Sequence, residues 1–340
     1  MSNIDLRKKA VKERRAMEAD FVAKSTYKRA DMKLRKLKLT LGDSLGRGQN
    51  TEVYSVKGLD DFYGRKNLCL KLFKNSGHIW GYPGPLGQST IAESTIVQNL
   101  VAIRGFAPRV YDLVLVNGKV GQVTDFLEGK SKVVPFTDDR FQFIKHEVGQ
   151  PHNSIDGKLV DFQGAAFKDF NAFKRSLIAK ALVKTSFPRT ERQLYQSTNY
   201  RDAKRNTKAR LSRYKFPSFK GKSVFDIGCN LGMLMRAAYD KGAKRVVGLD
   251  WPDMVDVSRE LAILDGYFNL DFVGGNIKSL TWEKIQELTG IEKFDIHFFF
   301  AMEMWVGWPD WVKNCNTLYY EGHGRVRPFW VKDLGGKKDD

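Results

Sequence analysis

Apolar and polar positions change rhythm near the middle of the chain, and this change predicts two differently built halves. From residue 39 to residue 126, short β-branched and aromatic runs are separated by turn residues. The dipeptide Asn117-Gly118 between two such runs is typical of a tight hairpin. These patterns predict the helix Thr90–Ile103 and the strands Leu39–Leu45, Glu52–Lys57, Asn67–Phe73, Val110–Val116 and Val120–Phe126.

From Lys222 onward, strand-like and helix-like segments alternate. This alternation predicts a parallel sheet with crossover helices. The predicted strands are Val224–Ile227, Arg245–Leu249, Asp271–Val273 and Phe294–Phe300, and the predicted helices are Met233–Lys241, Val255–Asp265 and Trp282–Thr289. After Gly324 there is room for one further strand, Val326–Lys332.

Positive charge is concentrated in two short segments. The chain has 340 residues and a formal net charge of +18. Residues 1–40 contain 13 basic and 5 acidic side chains, and residues 201–222 contain 9 and 1, so each segment has a net charge of +8. We therefore expect an anionic partner, either RNA or a phosphorylated substrate. Two solvated helix faces would have the same composition.

Both basic segments are predicted to be helical, over residues 3–37 and 171–215. Within the second segment, Arg201, Lys204, Arg205 and Lys208 recur at helical spacing and are predicted to form one basic helix face. The patterns predict four segments: a basic helical arm (1–38), a lobe (39–170), a basic helical connector (171–220) and a C-terminal domain (221–340).

The cysteine content and the hydrophobic runs predict a soluble cytoplasmic protein. Its three cysteines have no short spacing, which excludes a disulfide scaffold and a cysteine-rich zinc site. The N-terminus has no apolar run behind its charges, as a signal peptide would. The most apolar stretch, Phe294–Val306, is too short and too polar to span a bilayer, so no membrane span is expected.

A glycine-containing loop after the first strand of the C-terminal domain predicts a nucleoside site. The strand reaches Asp226, then Gly228 permits a sharp turn and Gly232 permits close approach to the backbone. The next strand ends in Asp250, which can accept hydrogen bonds from ribose hydroxyls. Both strand ends lie at the carboxyl edge, where open α/β sheets bind ligands.

The pattern D-x-G-x-N-x-G, whose fifth residue is Asn230, differs from the G-x-G-x-x-G that binds dinucleotides. An aspartate is also poorly placed beside a diphosphate. It resembles the class I S-adenosylmethionine-dependent methyltransferases over residues 192–324, which implies a Rossmann-like fold and S-adenosylmethionine as cofactor. The resemblance also implies cofactor contacts from Asn276, near the adenine, and from Tyr195. A nucleotide-binding sheet without transferase activity is the alternative.

Three side chains near the same edge are candidates for the catalytic group: Glu303, Glu321 and His323. His297 alternates within a phenylalanine-rich strand and is predicted to be a hydrogen-bonded core residue. The acceptor is not expected to be a base amine, since Asp/Asn-Pro-Pro-Tyr/Phe is missing after the fourth strand. A pyrimidine-C5 enzyme is disfavoured because no cysteine follows a proline. The acceptors that remain possible are a sugar hydroxyl, a small metabolite or an RNA position.

The first half resembles the N-terminal lobe of the protein-kinase-like fold over residues 39–130, which implies an α+β lobe. The resemblance rests on Gly46 and Gly48 in a strand–turn–strand, Lys71 on a strand and Glu93 on a helix. Asp161 resembles the metal-binding aspartate of the fold.

Val148 stands where a kinase has its catalytic aspartate, so weak ATP binding without phosphotransfer is expected. Kinase-like and methyltransferase modules occur together in enzymes of surface polysaccharides, which favours a saccharide or another small molecule as acceptor. Two alternatives remain: an RNA methyltransferase that uses segments 1–40 and 201–222, and a scaffold that binds ligands without turnover.

Overall fold

The computed structural model describes residues 34–48, 50–75, 90–129, 143–144, 154–162, 165–185, 194–196, 203–205, 207–323 and 328–334. The chain divides into two compact units, one formed by residues 1–61 and 65–175 and the other by residues 62–64 and 176–340. No helix in the described ranges is both long enough and apolar enough to cross a bilayer.

The first unit is built on a six-stranded sheet with the order β1-β5-β6-β4-β3-β2. Neighbouring strands are antiparallel except for β1 and β5. The strands are β1 (Arg35–Lys36), β2 (Leu41–Arg47), β3 (Thr51–Val56), β4 (Leu68–Phe73), β5 (Val110–Val116) and β6 (Lys119–Asp125), with a separate hairpin of β7 (Ser154–Ile155) and β8 (Lys158–Leu159). The helices are α1 (Leu59–Tyr63) and α2 (Ile91–Ala102), and α3 (Phe170–Thr185) spans the boundary between the units.

Local sequence signals explain why these elements begin and end where they do. The Thr90 side chain accepts a hydrogen bond from the Glu93 N–H and so caps the first turn of α2. Asn117 and Gly118 both have positive φ, 50° and 75°, as a tight hairpin with matched twist requires. The predicted α+β character of the lobe and its five predicted strands are confirmed.

The second unit is a doubly wound sheet with the order β13-β12-β11-β14-β15-β16. The first five strands are parallel and β16 is antiparallel to β15. Its strands are β9 (Leu194–Gln196), β10 (Ala203–Arg205), β11 (Ser223–Ile227), β12 (Arg245–Asp250), β13 (Leu270–Gly274), β14 (Phe294–Phe300), β15 (Cys315–Glu321) and β16 (Phe329–Asp333). Its helices are α4 (Thr207–Tyr214), α5 (Met233–Asp240), α6 (Pro252–Leu264), α7 (Trp282–Thr289) and α8 (Glu303–Val306), followed by the 3-10 turn Asp310–Lys313.

The sheet of the second unit is covered on both faces. One core cluster joins the strands to α4, α5 and α6, and the other joins them to α7 and the 3-10 turn. Burial on both faces explains the nearly continuous apolar sequence of β14. The predicted Rossmann-like α/β fold is confirmed, because the strand order is that of a doubly wound nucleotide-binding sheet. The single strand expected near the end of the chain is β16.

Two predictions about the basic segments are wrong where the structure describes them. Arg35–Lys36 is a strand that pairs with β5, so the predicted helix 3–37 does not extend through these two residues; its residues 3–33 lie outside the described ranges. In the connector, Lys204 and Arg205 belong to β10, which pairs with β9, whereas Lys208 belongs to α4. The predicted single basic helix face is therefore not formed; Arg201 lies outside the described ranges. Strand pairing has overridden a weak helix propensity.

Candidate active site

The loop between β11 and α5 favours glycine at two positions. Gly228 and Gly232 both have left-handed backbones, with φ of 80° and 75°. A Cβ atom at Gly228 would collide with the Met302 thioether, and one at Gly232 would lie 3.0 Å from the Phe272 ring. A side chain at either position would therefore be strained and crowded. The two glycines let the chain turn sharply at the carboxyl edge of the sheet.

Asp250, at the end of the neighbouring strand β12, holds this loop in place. One carboxylate oxygen accepts a hydrogen bond from the Asn230 N–H at 2.8 Å, and the other accepts one from the Trp251 N–H at 2.8 Å. The Gly228 N–H also donates to the Leu249 carbonyl at 2.8 Å. Each oxygen of an ionised carboxylate can accept two hydrogen bonds, so Asp250 retains capacity for ligand hydroxyls.

Asp226, near the end of β11, is the most unusual charged group of the site. It is 1% exposed, and its Oδ2 atom has no hydrogen-bond partner among the described residues. Burial, with a smaller contribution from the Asp250 charge, raises the pKa of this carboxyl to about 8, and the Arg210 charge opposes the shift. A buried acceptor without a donor is costly, which makes Asp226 a fitting partner for a cationic or hydrogen-bond-donating ligand.

The other predicted cofactor residues lie on elements around this loop. Asn276 is exposed in the turn after β13, where its Oδ1 atom accepts the Lys278 N–H at 3.1 Å. The preceding Gly275 N–H donates to the Asp250 carbonyl at 2.8 Å, which brings this turn next to the loop. Tyr195 lies on β9, and its side chain lies outside the described atoms. The sequence analysis did not select the adjacent Gln196, which is buried and accepts the Met233 N–H at 3.4 Å.

Glu321 is a structural anchor, and its surroundings argue against the predicted proton-accepting role. Its side chain has no solvent exposure and forms ion pairs with Arg210 and Arg213 of α4. The Tyr214 hydroxyl also donates to Oε2 at 2.8 Å. Burial alone would raise the pKa of Glu321, but the Arg210 charge and these donors hold it below the ordinary value. A carboxylate stabilised in its ionised form by three donors is a weak base.

Sequence analysis missed this anchor because it counted Arg210 and Arg213 only as surface charge. A usable signal was present, since Arg210, Arg213 and Tyr214 recur at i, i+3 and i+4 and therefore lie on one side of a helix. Their common partner is more than 100 residues away in sequence, which no local pattern reveals.

The structure brings together the two other catalytic candidates, Glu303 and His323. Glu303 lies in the first turn of α8, and its Oε1 atom accepts the His323 N–H at 2.6 Å. Its Oε2 atom is buried without a hydrogen-bond partner among the described residues. Burial raises the pKa of the Tyr320 phenol, and the neighbouring Glu303 carboxylate raises it further. Glu303 therefore has an acceptor atom to offer to a substrate.

His297 is a core residue, as predicted. It is fully buried in β14, and its Nδ1 atom lies 2.8 Å from the Val312 carbonyl. Burial lowers the pKa of the imidazole to about 4, so the ring is neutral near neutral pH. The His297 ring is packed among the rings of Phe225, Phe294 and Trp282.

In the first unit, Lys71 and Asp161, two of the predicted nucleotide-binding residues, interact electrostatically. Lys71 on β4 donates to the Val160 carbonyl at 3.4 Å; burial lowers the pKa of its amine, and the Asp161 charge raises it. Glu93 on α2 is buried and accepts the Phe167 N–H at 3.1 Å.

The two glycines of the predicted nucleotide loop lie at the end of β2 and just after it. Gly46 belongs to β2, and the Gly48 N–H donates at 2.9 Å to the carbonyl of Thr51, the first residue of β3. Val148 lies outside the described ranges.

Comparison with known proteins finds short matches to methyltransferases. No protein-family model matches the chain. Protein arginine N-methyltransferase 1 of Saccharomyces cerevisiae is 41% identical over 49 residues, and the chain spans 14% of the length of this curated relative. The bifunctional kinase-methyltransferase WbdD is 23% identical, with a TM-score of 0.31 over 41% of this chain and 34% of that one. The PRMT1 enzyme-prozyme complex of Trypanosoma brucei with AdoHcy is 26% identical, with a TM-score of 0.24 over 28% of each chain.

The buried anchor predicts that Glu321→Gln destabilises the protein. This change leaves Arg210 and Arg213 without a counter-ion, and breaking a buried pair in this way costs about 3 kcal/mol of unfolding free energy. Urea denaturation measures the loss. Glu287→Gln is the matched control, because Glu287 pairs with Lys284 on the exposed surface of α7, where a pair contributes less than about 1 kcal/mol. Equal stability of the two variants would contradict the anchor.

Proposed function

We propose that the second unit transfers a methyl group from S-adenosylmethionine to a hydroxyl of a small molecule, with a saccharide as the acceptor. One observation carries the proposal: the buried Asp226 carboxylate, with its unpartnered oxygen, lies beside the glycine loop that Asp250 holds. A dinucleotide would bring a negatively charged pyrophosphate to this place, whereas S-adenosylmethionine brings an ammonium and a sulfonium. Electrostatics therefore favours the methyl donor.

The residues of the loop have separate tasks in this proposal. Asp226 pairs with the amino group of the donor, and Asp250 accepts hydrogen bonds from its ribose. Gly228 and Gly232 let the backbone approach the ligand without a Cβ atom in the way. When bound, S-adenosylmethionine supplies a methyl group activated by its sulfonium.

Positioning is the main contribution that the chain makes to methyl transfer. The reaction is an in-line displacement, so the acceptor oxygen must be held on the axis of the bond that breaks. Glu303 is the residue best suited to orient that hydroxyl and to take its proton, because its Oε2 atom is unpartnered. His323, whose N–H contacts the same carboxylate, is the alternative. Glu321 is less suited to this role, because the Arg210 charge and the donors of α4 hold its pKa below the ordinary value.

The first unit is proposed to be an accessory lobe without phosphotransfer. The strand lysine Lys71 and the acidic Asp161 are the features that would support nucleotide binding. Val148, at the position of the catalytic aspartate, has no atom that could accept a proton from an acceptor hydroxyl.

A direct assay compares acceptor classes. The full chain is incubated with labelled S-adenosylmethionine and with neutral oligosaccharides or RNA, and S-adenosylhomocysteine release is measured together with acceptor labelling. Saccharide-dependent release supports the proposal. RNA-dependent release with a steep salt dependence would replace the saccharide with RNA. No release with any acceptor would favour the non-catalytic scaffold.

The Asp226 pKa predicts how cofactor binding depends on pH. In the free protein this carboxyl is mostly protonated below about pH 8, whereas a bound cation favours its ionised form. The affinity for S-adenosylmethionine should therefore rise with pH between about 5.5 and 7, by up to about tenfold per pH unit. Calorimetric titrations at several pH values measure this slope.

Asp226→Asn is the control for that slope, because asparagine keeps the size and cannot ionise. The variant should bind S-adenosylmethionine more weakly and with no pH slope in this range. A parent protein whose affinity does not change over the same range would contradict the role of Asp226.

Asp250→Ala should weaken S-adenosylmethionine binding by about 1–3 kcal/mol, since it leaves ligand hydroxyls unpaired and removes the hydrogen bond to the Asn230 N–H. Asp256→Ala is the matched control: it removes an exposed carboxylate from α6, where Asp256 pairs with Arg259 on the surface. Calorimetry of both variants is the test. Equal affinities would remove Asp250 from the site.

The first unit should fail to hydrolyse or transfer the γ-phosphate of ATP. Weak ATP binding through Lys71 is expected, and Lys71→Ala should reduce it, as measured by fluorescence titration with a nucleotide analogue. Phosphotransfer by the parent protein that disappears in Lys71→Ala would show that the lobe is an active kinase.

A further inference from the structure

We propose that the acceptor binds in an aromatic corner, formed by Trp308, Tyr320 and Trp330 together with Glu303, and that this corner selects a neutral saccharide ring. The inference rests on the proposed function, because methyl transfer to the bound sugar requires the proposed S-adenosylmethionine site. Binding of the sugar can be measured without that reaction, so the two can fail separately.

Three aromatic rings pack against one another next to the carboxyl edge of the sheet, with Tyr320 buried and Trp308 exposed. Tyr320 and Trp330 are cross-strand partners on β15 and β16, with ring centroids 4.7 Å apart. Trp308, from the segment after α8, lies 5.1 Å from the Tyr320 ring and 6.4 Å from the Trp330 ring. The two indole planes are parallel to within 1°. Phe299 supports Trp308 at 4.9 Å, so the surface is fixed by packing.

The segment that supplies Trp308 exposes an unusual amount of apolar surface. Trp308 is 44% exposed, and Met304 and Trp305 in the same segment are 56% and 48% exposed. Clustered exposed apolar side chains mark ligand or partner surfaces more often than scattered ones do. A sugar ring presents an apolar C–H face that packs on an indole, and a rim of hydroxyls that needs hydrogen-bond partners.

The corner also has polar groups placed to meet hydroxyls. The Oε2 atom of Glu303 is buried with no partner among the hydrogen bonds of the described residues, and the Tyr320 hydroxyl interacts with the same carboxylate. An aromatic surface with a few convergent polar groups is the usual composition of a small-molecule site. The Glu303 carboxylate places negative charge within the corner, which disfavours a phosphate group beside it. This charge favours a neutral sugar over RNA.

Met302 connects the corner to the donor loop. It directly precedes Glu303, and its thioether packs against Gly228. The corner therefore begins one residue from a side chain that contacts the loop proposed to hold the methyl donor. An acceptor hydroxyl held by Glu303 would approach the donor from the β14–β15 side of the edge.

The test measures sugar binding to the full chain without cofactor. Mannotriose, maltotriose and chitotriose are titrated, and binding is followed by saturation-transfer NMR and by tryptophan fluorescence. At least one should bind, and Trp308→Ala should weaken that binding by about tenfold or more, as expected for an aromatic anchor. Trp251→Ala should leave it unchanged, since Trp251 is an exposed indole after β12, outside the corner. Glu303→Gln should also weaken sugar binding. Trp308→Phe should bind the sugar more tightly than Trp308→Ala and more weakly than the parent protein.

The proposed sugar site would be overturned if none of the three sugars bound, or if the parent protein and Trp308→Ala bound them equally. It would also be overturned if a short single-stranded RNA or an arginine-containing peptide bound in a Trp308-dependent way while the sugars did not bind. Calorimetry with S-adenosylmethionine on the same proteins separates the two proposals. Cofactor binding without sugar binding removes only the corner. Sugar binding that depends on Trp308 without cofactor binding keeps the corner and removes the proposed transferase.

Discussion

The most constrained polar group of the second unit is the buried Asp226 carboxyl, whose Oδ2 atom has no hydrogen-bond partner among the described residues. Asp226 lies near the carboxyl end of β11, where it is shielded from water and where Asp250 adds negative charge. Because its folded pKa lies above the ordinary value of 3.8, the ionised form is disfavoured, and the free energy of unfolding falls as pH rises from about 4 to about 8. The fold thus tolerates a group that costs stability, as binding sites commonly do.

The surrounding structure keeps this group in place and limits its protonation. Asp250 fixes the loop through the Asn230 N–H, and α4 is fixed by the buried Glu321. Arg210 links the Glu321 ion-pair cluster to Asp226, because it pairs with Glu321 and its charge lowers the pKa of Asp226. The ion-pair cluster therefore influences the proposed cofactor site through electrostatics, and Glu321 itself is buried and held by three donors of α4.

Sequence patterns predicted the features that depend on neighbouring residues. The loop at Gly228 and the hairpin at Asn117-Gly118 are set by backbone conformations that few residues adopt, so spacing alone revealed them. The Glu321 cluster and the pairing of Tyr320 with Trp330 depend on contacts between distant segments, and the sequence did not reveal them. The connector was predicted to be helical, whereas β9 and β10 are each three residues long and pair with each other, which a local pattern does not reveal.

Proton release on cofactor binding tests the central claim most directly. The heat of S-adenosylmethionine binding at pH 7 is measured in buffers with different ionisation enthalpies, which gives the number of protons released. With a free pKa of about 8 for Asp226, binding of a cationic ligand should release between about half a proton and one proton, and Asp226→Asn should release none. Binding of S-adenosylmethionine to the parent protein without proton release would contradict the account.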